Sequence, residues 1–262
     1  MNAEMLIVFF VAAIFLQLQQ NVYGFNQNRI VNGSATPDGV FEFLPKLFMV
    51  IHGPYQKESM NTNFELWSST IISKRHILTA AHCVHVSTRL SDEDPLFLNS
   101  QASSVLVQYR PSGKPKGFDI RDFSLQPKYY FHQSYSSVYA FAHDIAIVEF
   151  PEGTDFQIPP VKLASVEKEG DMAIAAGYGI YKWYGSQITG ESENPRVLQN
   201  ATVPIHLNCP RTPSTLICAG TCVRHADSGD SGGPLMFERN GNVYQVGVLS
   251  MGFPVNETLI YS

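Results

Sequence analysis

The sequence predicts an all-β protein. Short apolar, β-branched segments follow one another between clusters of Gly, Pro, Asn, Asp and Ser, and past the N-terminus no stretch sustains a 3.6-residue apolar period. The composition agrees, because 262 residues with 44% hydrophobic and 16% charged side chains can bury a real core, which excludes a disordered chain. In chain order, strands are expected over residues 47–52, 69–72, 76–80, 104–109, 145–150, 172–176, 197–204, 216–219, 235–237 and 243–249. The polar stretches 86–103 and 111–137, with Pro and Gly scattered through them, read as loops. Pro159-Pro160 marks a linker between two halves, since two fixed φ angles and two missing donors interrupt any ladder.

The longest apolar run, residues 5–16, is followed by polar residues and by Val22-Tyr23-Gly24, the pattern of a cleaved signal peptide over residues 1–24. A run of that length falls short of the roughly 20 residues that cross a bilayer, so no membrane span is expected. Secretion puts the four cysteines, Cys83, Cys209, Cys218 and Cys222, in an oxidising compartment where two disulfides and three connectivities are open. Sequons at Asn32, Asn200 and Asn256 place those side chains on the surface if they carry sugar. A net charge of −5 leaves no basic footprint, and nucleic acid is not an expected partner.

Three motifs stand in order: Thr79-Ala80-Ala81-His82-Cys83, then His143-Asp144-Ile145-Ala146, then Gly229-Asp230-Ser231-Gly232-Gly233-Pro234. Each alone is compatible with a turn or a satisfied core histidine. Together, and with Arg29-Ile30-Val31-Asn32-Gly33 near the start, they resemble the trypsin/chymotrypsin-like serine endopeptidases. The resemblance implies two antiparallel six-stranded β-barrels of the chymotrypsin type, about 30–158 and 161–262, with a cleft between them. It also implies a catalytic triad of His82, Asp144 and Ser231, no cofactor and no metal.

The chemistry needs these residue types. A serine hydroxyl is a weak nucleophile at neutral pH, so Ser231 needs a base within reach as it attacks an acyl carbon. An imidazole titrates near the working pH, so His82 can take that proton and later hand it to the leaving amine. Asp144 would fix the useful tautomer and offset the imidazolium charge. The backbone N–H groups of Gly229 and Ser231 would form the oxyanion hole, and glycine lets the backbone come close. His82, Cys83 and His85 lie on one short segment without a second ligand pair, a poor zinc pattern.

Arg29-Ile30 resembles a zymogen cleavage point, leaving 25–29 as a short propeptide and 30–262 as the protease domain. An activating protease would free the α-amino group of Ile30, which in this family turns inward to pair with the acid before the nucleophile, here Asp230. The residue six before the serine, which floors the family's primary pocket, is His225. A neutral His225 gives a polar, uncharged floor, and a protonated one favours an acidic side chain. Ser250 and Gly252 resemble the strand that pairs with an extended polypeptide substrate. A protein inhibitor is a further possible partner.

Departures from the family pattern are expected to matter. The disulfide that clips the histidine loop would join Cys83 to a position that here reads Trp67-Ser68-Ser69. Cys209 and Cys218 resemble the family's short-loop pair, which leaves Cys83 and Cys222 either bridged or free. After Gly252 the family continues through a last strand and a terminal helix, so the second barrel is expected to be incomplete, with an open edge. The rival reading is a non-catalytic homologue that binds a protein partner; a general esterase shares the triad without needing the Ile30 motif.

Overall fold

The structure is a computed structural model that describes residues 30, 33–51, 63–89, 97–101, 104–109, 119–123, 127–135, 143–165, 171–180, 182–184, 191–193, 197–206, 216–221, 224–253 and 258–261. The expected signal peptide and propeptide, with Arg29, Asn32, Cys209, Cys222 and Asn256, lie outside the described residues.

All ten expected strands form, with ends shifted by at most four residues. The only helix among the described residues is a single 3-10 turn, Ala81–Cys83. Two four-stranded antiparallel sheets make the N-terminal half. One runs in the order Asn63–Ser68, Lys46–Ile51, Ser104–Tyr109, Asp119–Phe123, and the other in the order Lys128–Phe131, Ala146–Glu149, His76–Thr79, Thr70–Ile71. Asn63–Ser68 runs into Thr70–Ile71 across Ser69 alone, so one bent strand serves both sheets. Leu47, Ile71, Ile77, Val107, Val148 and Phe150 fill the space between the sheets, each without accessible surface.

The C-terminal half is a second antiparallel system whose pairings form a ring. Met172–Gly177 pairs with Gln199–His206 and with Pro234–Arg239. Pro234–Arg239 pairs with Asn242–Phe253, which pairs with Thr258–Tyr261. Thr258–Tyr261 pairs in turn with Ile217–Ala219, which returns to Gln199–His206. The edge expected to lie open after Gly252 is therefore taken by Thr258–Tyr261 along its four residues. The Thr-Leu-Ile-Tyr segment has the β-branched and aromatic composition that suits a ladder. Together the halves are the two-barrel fold of the chymotrypsin type, nearly all β.

Two stretches expected as loops hold strands instead. His85–Arg89, which overlaps 86–103, pairs antiparallel with Phe97–Gln101, and Asp119–Phe123 and Lys128–Phe131 lie within 111–137. In Lys128–Phe131 exposed and half-buried side chains alternate, the period-2 pattern that a count of polar residues hides. The hand-over between barrels comes just after the exposed Pro159-Pro160. Val161 N–H bonds to Ile71 O in the first barrel at 3.1 Å, and Ala164 N–H bonds to Gln245 O in the second at 2.9 Å.

Candidate active site

Strand pairing builds the first half of the site. Ala146 faces Thr79 in the antiparallel register, so the residues just beyond these strand ends, Asp144 and the turn Ala81–Cys83, emerge at the same end of the sheet. Cys83, Ala80 and Ala81 are buried in the core and anchor that turn, while the His82 side chain keeps 21% of its surface. Asp144 is wholly buried. Its Oδ1 accepts the His82 backbone N–H at 2.8 Å, and its Oδ2 accepts His82 Nδ1–H at 2.6 Å. Ser250, from the second barrel, donates its Oγ–H to the same Oδ2 at 2.6 Å.

These partners set the charge on His82. Burial opposes the imidazolium, but the Cys83 sulfur and the Asp144 carboxylate outweigh it and raise the His82 pKa. Burial also pushes the Cys83 thiol up, so the sulfur is neutral at pH 7 and Asp144 is the partner that favours the cation there. Cys83 Sγ lies 3.7 Å from His82 Nε2.

The Ser231 loop is held by its backbone. Asp230 N–H bonds to Asp227 O, Gly232 N–H to Leu249 O and Gly233 N–H to Asp230 O, all at 2.8 to 2.9 Å. Gly232 has φ +80°, and a Cβ there would run into Thr79 Oγ1 and the Ser68 carbonyl, so only glycine lets the two barrels abut at this point. Ser68, in the first barrel, reaches across: its N–H bonds to Ser231 O at 2.9 Å and its Oγ to Gly229 O at 3.2 Å. The N–H groups of Gly229 and Ser231 have no acceptor among the described residues, and Ser231 Oγ has no hydrogen bond there either. The structure thus joins His82 to Asp144 directly and brings the Ser231 loop against the turn that carries His82, without a His82–Ser231 hydrogen bond.

The other expected positions fall as follows. Asp230 is buried, and its carboxylate accepts Gly179 N–H at 2.7 Å and Asp227 N–H at 2.9 Å. Burial pushes its carboxyl up to about 7, against the pull of those two donors. Gly177 and Gly179 leave the space that this side chain occupies. Ile30 is buried in the second-barrel core with Ala226 and Leu249, and it holds φ +43°, a left-handed conformation strained for a β-branched residue. His225 is half-buried, and its buried Nδ1 has no hydrogen-bond partner. Met251 and Gly252 are paired on one edge with Ile260 and Leu259, Ser250 sits at a register shift between Leu249 and Met251, and the pairing with Pro234–Arg239 on the other edge stops at Val248.

Cys83 is a free thiol, so no bridge joins it to Cys222. Cys218 is disulfide-bonded, and its partner lies outside the described residues. Four contributors escaped the sequence reading: the Ser250 hydroxyl as a donor to Asp144, Ser68, and the glycines at 177 and 179. The Gly-Tyr-Gly alternation in a β segment was the one local sign of close backbone approach.

The sequence model of the trypsin family matches residues 50–261. The chain belongs to the trypsin family. Similar proteins include the venom serine protease Bi-VSP of Bombus ignitus, 28% identical over 71% of this chain and 52% of its own length. A venom protease of Bombus pensylvanicus is 29% identical over 76% of this chain and 79% of its own length. The human mannan-binding lectin serine protease 1 is 28% identical over 86% of this chain but 32% of its own length. The trypsin-family chain thus spans about half of the first relative and a third of the human one. The serine protease motif set is therefore embedded in the fold that the family carries, and the four elements of the His82–Asp144–Ser250 network and the Ser231 loop come from both of its barrels.

Proposed function

We propose that the chain is a secreted serine endopeptidase that hydrolyses peptide bonds through an acyl-enzyme, made as a zymogen and activated by cleavage after Arg29. The observation that carries this reading is the buried Asp144 carboxylate, which grips His82 at Nδ1 and leaves Nε2 as the basic lone pair beside the Ser231 loop. Nε2 takes the Ser231 proton as Oγ attacks the acyl carbon, and the same proton passes to the leaving amine. The unbonded N–H groups of Gly229 and Ser231 receive the developing oxyanion. Water then repeats the sequence on the acyl-enzyme and frees the acid product. Of the relatives named above two are serine proteases and the third a protease, and two of the three are venom proteins, which supports a polypeptide substrate and export.

Activation follows from Asp230. A buried carboxyl raised to about 7 is an incomplete ion pair, and an α-amino group at Ile30 is the cation that cleavage would supply. Binding of substrate would use the unpaired edge of Ser250–Gly252 and a primary pocket floored by the half-buried His225, a polar residue where an acid would select Lys or Arg. Cleavage of a peptide library at two pH values tests this; a preference for Lys or Arg throughout overturns it.

One observation favours the non-catalytic alternative: Ser231 Oγ is not bonded to His82. A single experiment decides. The secreted chain, cut after Arg29, should be labelled by a serine-directed fluorophosphonate, and Ser231→Ala should abolish labelling. Folded, cleaved chain that takes no label would reject the enzyme.

A further inference from the structure

The family's covalent clip on the histidine loop is missing here, and a different contact occupies its place. Cys83 is free and buried, and the position expected for its partner reads Trp67-Ser68-Ser69. The Trp67 indole stands edge to face against the His82 ring, with centroids 5.4 Å apart and planes at 87°. That is a favourable aromatic geometry. Trp67 itself is partly buried against the first-barrel core, so the indole has a firm backing. The next residue, Ser68, is tied to the nucleophile loop through Ser231 O and Gly229 O, and its Oγ accepts the Tyr178 N–H at 3.1 Å. Adjacent residues of one strand therefore touch the base and hold the nucleophile loop.

We propose that Trp67 is the positioning residue of His82: its ring does the mechanical work of the absent clip, from a peptide unit that also fixes the Ser231 loop. The Nδ1 bond to Asp144 does not by itself stop the imidazole from swinging about that bond. The indole blocks that swing on one side. The neighbouring Cys83 sulfur is a weak donor at 3.7 Å, so the ring contact carries the positioning and the thiol does not. The inference rests on His82 acting as the catalytic base.

Trp67→Ala, Trp67→Phe and Trp67→Cys, each made in the full chain and cut after Arg29, test it. Trp67→Ala should lower kcat by roughly 10- to 100-fold with KM little changed, because a base misplaced by an ångström loses rate rather than substrate. Trp67→Phe keeps an aromatic edge and should recover most of that loss. Trp67→Cys, oxidised with glutathione disulfide and shown by thiol titration to have paired with Cys83, should regain activity that reduction removes; left unpaired, it should match Trp67→Ala. Equal kcat in wild type and Trp67→Ala, or a paired Trp67→Cys no better than its reduced form, overturns the proposal.

A second readout does not depend on activity. With Trp183→Phe leaving Trp67 as the sole tryptophan of the chain's two, its fluorescence should be quenched as His82 takes a proton, and His82→Ala should abolish that step. An unlabelled wild type with the quenching step present would sink the endopeptidase and leave the contact standing. Absence of the step in folded protein would sink the contact itself.

Discussion

On the first-barrel side of the site, Asp144 gathers the His82 N–H, the His82 Nδ1–H and the Ser250 hydroxyl, and every one of these bonds is in place in the uncut chain. On the second-barrel side, the Ser231 loop is held by backbone bonds and by an Asp230 carboxylate that has two N–H donors and no cation among the described residues. The His82–Asp144 side is fully hydrogen-bonded, whereas the carboxylate beside Ser231 has no counter-charge among the described residues. On the proposed activation, a cation arriving at Asp230 would act on the Ser231 loop without disturbing the His82–Asp144 pair. The difference also says which substitutions cost rate and which cost stability.

The largest effect should fall on the base side. Asp144→Asn puts an NH2 or a carbonyl where a carboxylate accepts three donors, so His82 loses its tautomer and the imidazolium loses its counter-charge. In this catalytic template the loss is on the order of 10⁴-fold in kcat. Steady-state hydrolysis of a peptide ester by the cleaved chain, with folding checked by circular dichroism, measures it. A loss under tenfold would mean that Ser250 and the His82 main chain, and not the carboxylate charge, hold the base.

Next comes the seam between the halves. Gly232→Ala adds a Cβ at φ +80° against Thr79 Oγ1 and the Ser68 carbonyl. Left-handed strain and overpacking each cost roughly 1 to 3 kcal/mol, so the variant should lose about 3 kcal/mol or more in urea unfolding. An unchanged midpoint would show that the barrels part easily at this point.

Much of this comparison was legible in the sequence, and the limits have physical causes. His82, Asp144 and Ser231 announce themselves because each sits in a short motif whose neighbours serve the same local turn. The ten expected strands form because β-branched runs between turn residues need no distant partner to be recognised. Trp67 and Ser68 were marked only as the place where a cysteine is missing, and their contacts stayed hidden because their partners His82 and Gly229 lie 15 and 161 residues away. The Ser250 hydroxyl was read as part of a substrate strand, because its bond to Asp144 spans 106 residues and two barrels. The ring of pairings was missed for a similar reason: four residues at 258–261 are too few to read as a barrel strand until Ile217–Ala219 and Asn242–Phe253 are seen on both sides.

The charge difference predicts a pH dependence in the uncut chain. An ordinary aspartate loses its proton near 4, whereas Asp230 is pushed up to about 7 by burial. Between those values the folded state keeps a proton that the unfolded state has released. Stability should thus fall as pH rises from about 4 to about 7, by a few kcal/mol, and level off above. Asp230→Asn should erase that slope, even though its amide meets an N–H donor and lowers stability at pH 4. Urea midpoints from pH 4 to 8 give the answer. A wild-type curve parallel to that of Asp230→Asn would mean that the carboxylate already has its cation in the uncut chain.

The smallest expected effect isolates the hydroxyl that links the halves. Ser68→Ala removes the bond to Gly229 O and leaves the Tyr178 N–H without its acceptor, while the Ser68 main-chain bond to Ser231 O survives. A neutral hydrogen bond contributes about 1 kcal/mol net, and a buried N–H left unpaired adds about 1 to 3 kcal/mol, so a loss of about 2 kcal/mol is expected. If the hydroxyl serves only to hold the barrels together, cut and uncut chains should lose equally. A larger loss in the uncut chain would show that the hydroxyl steadies the oxyanion loop in place of the missing ion pair. In that case the fluorophosphonate should label the uncut wild type slowly and the uncut Ser68→Ala more slowly still.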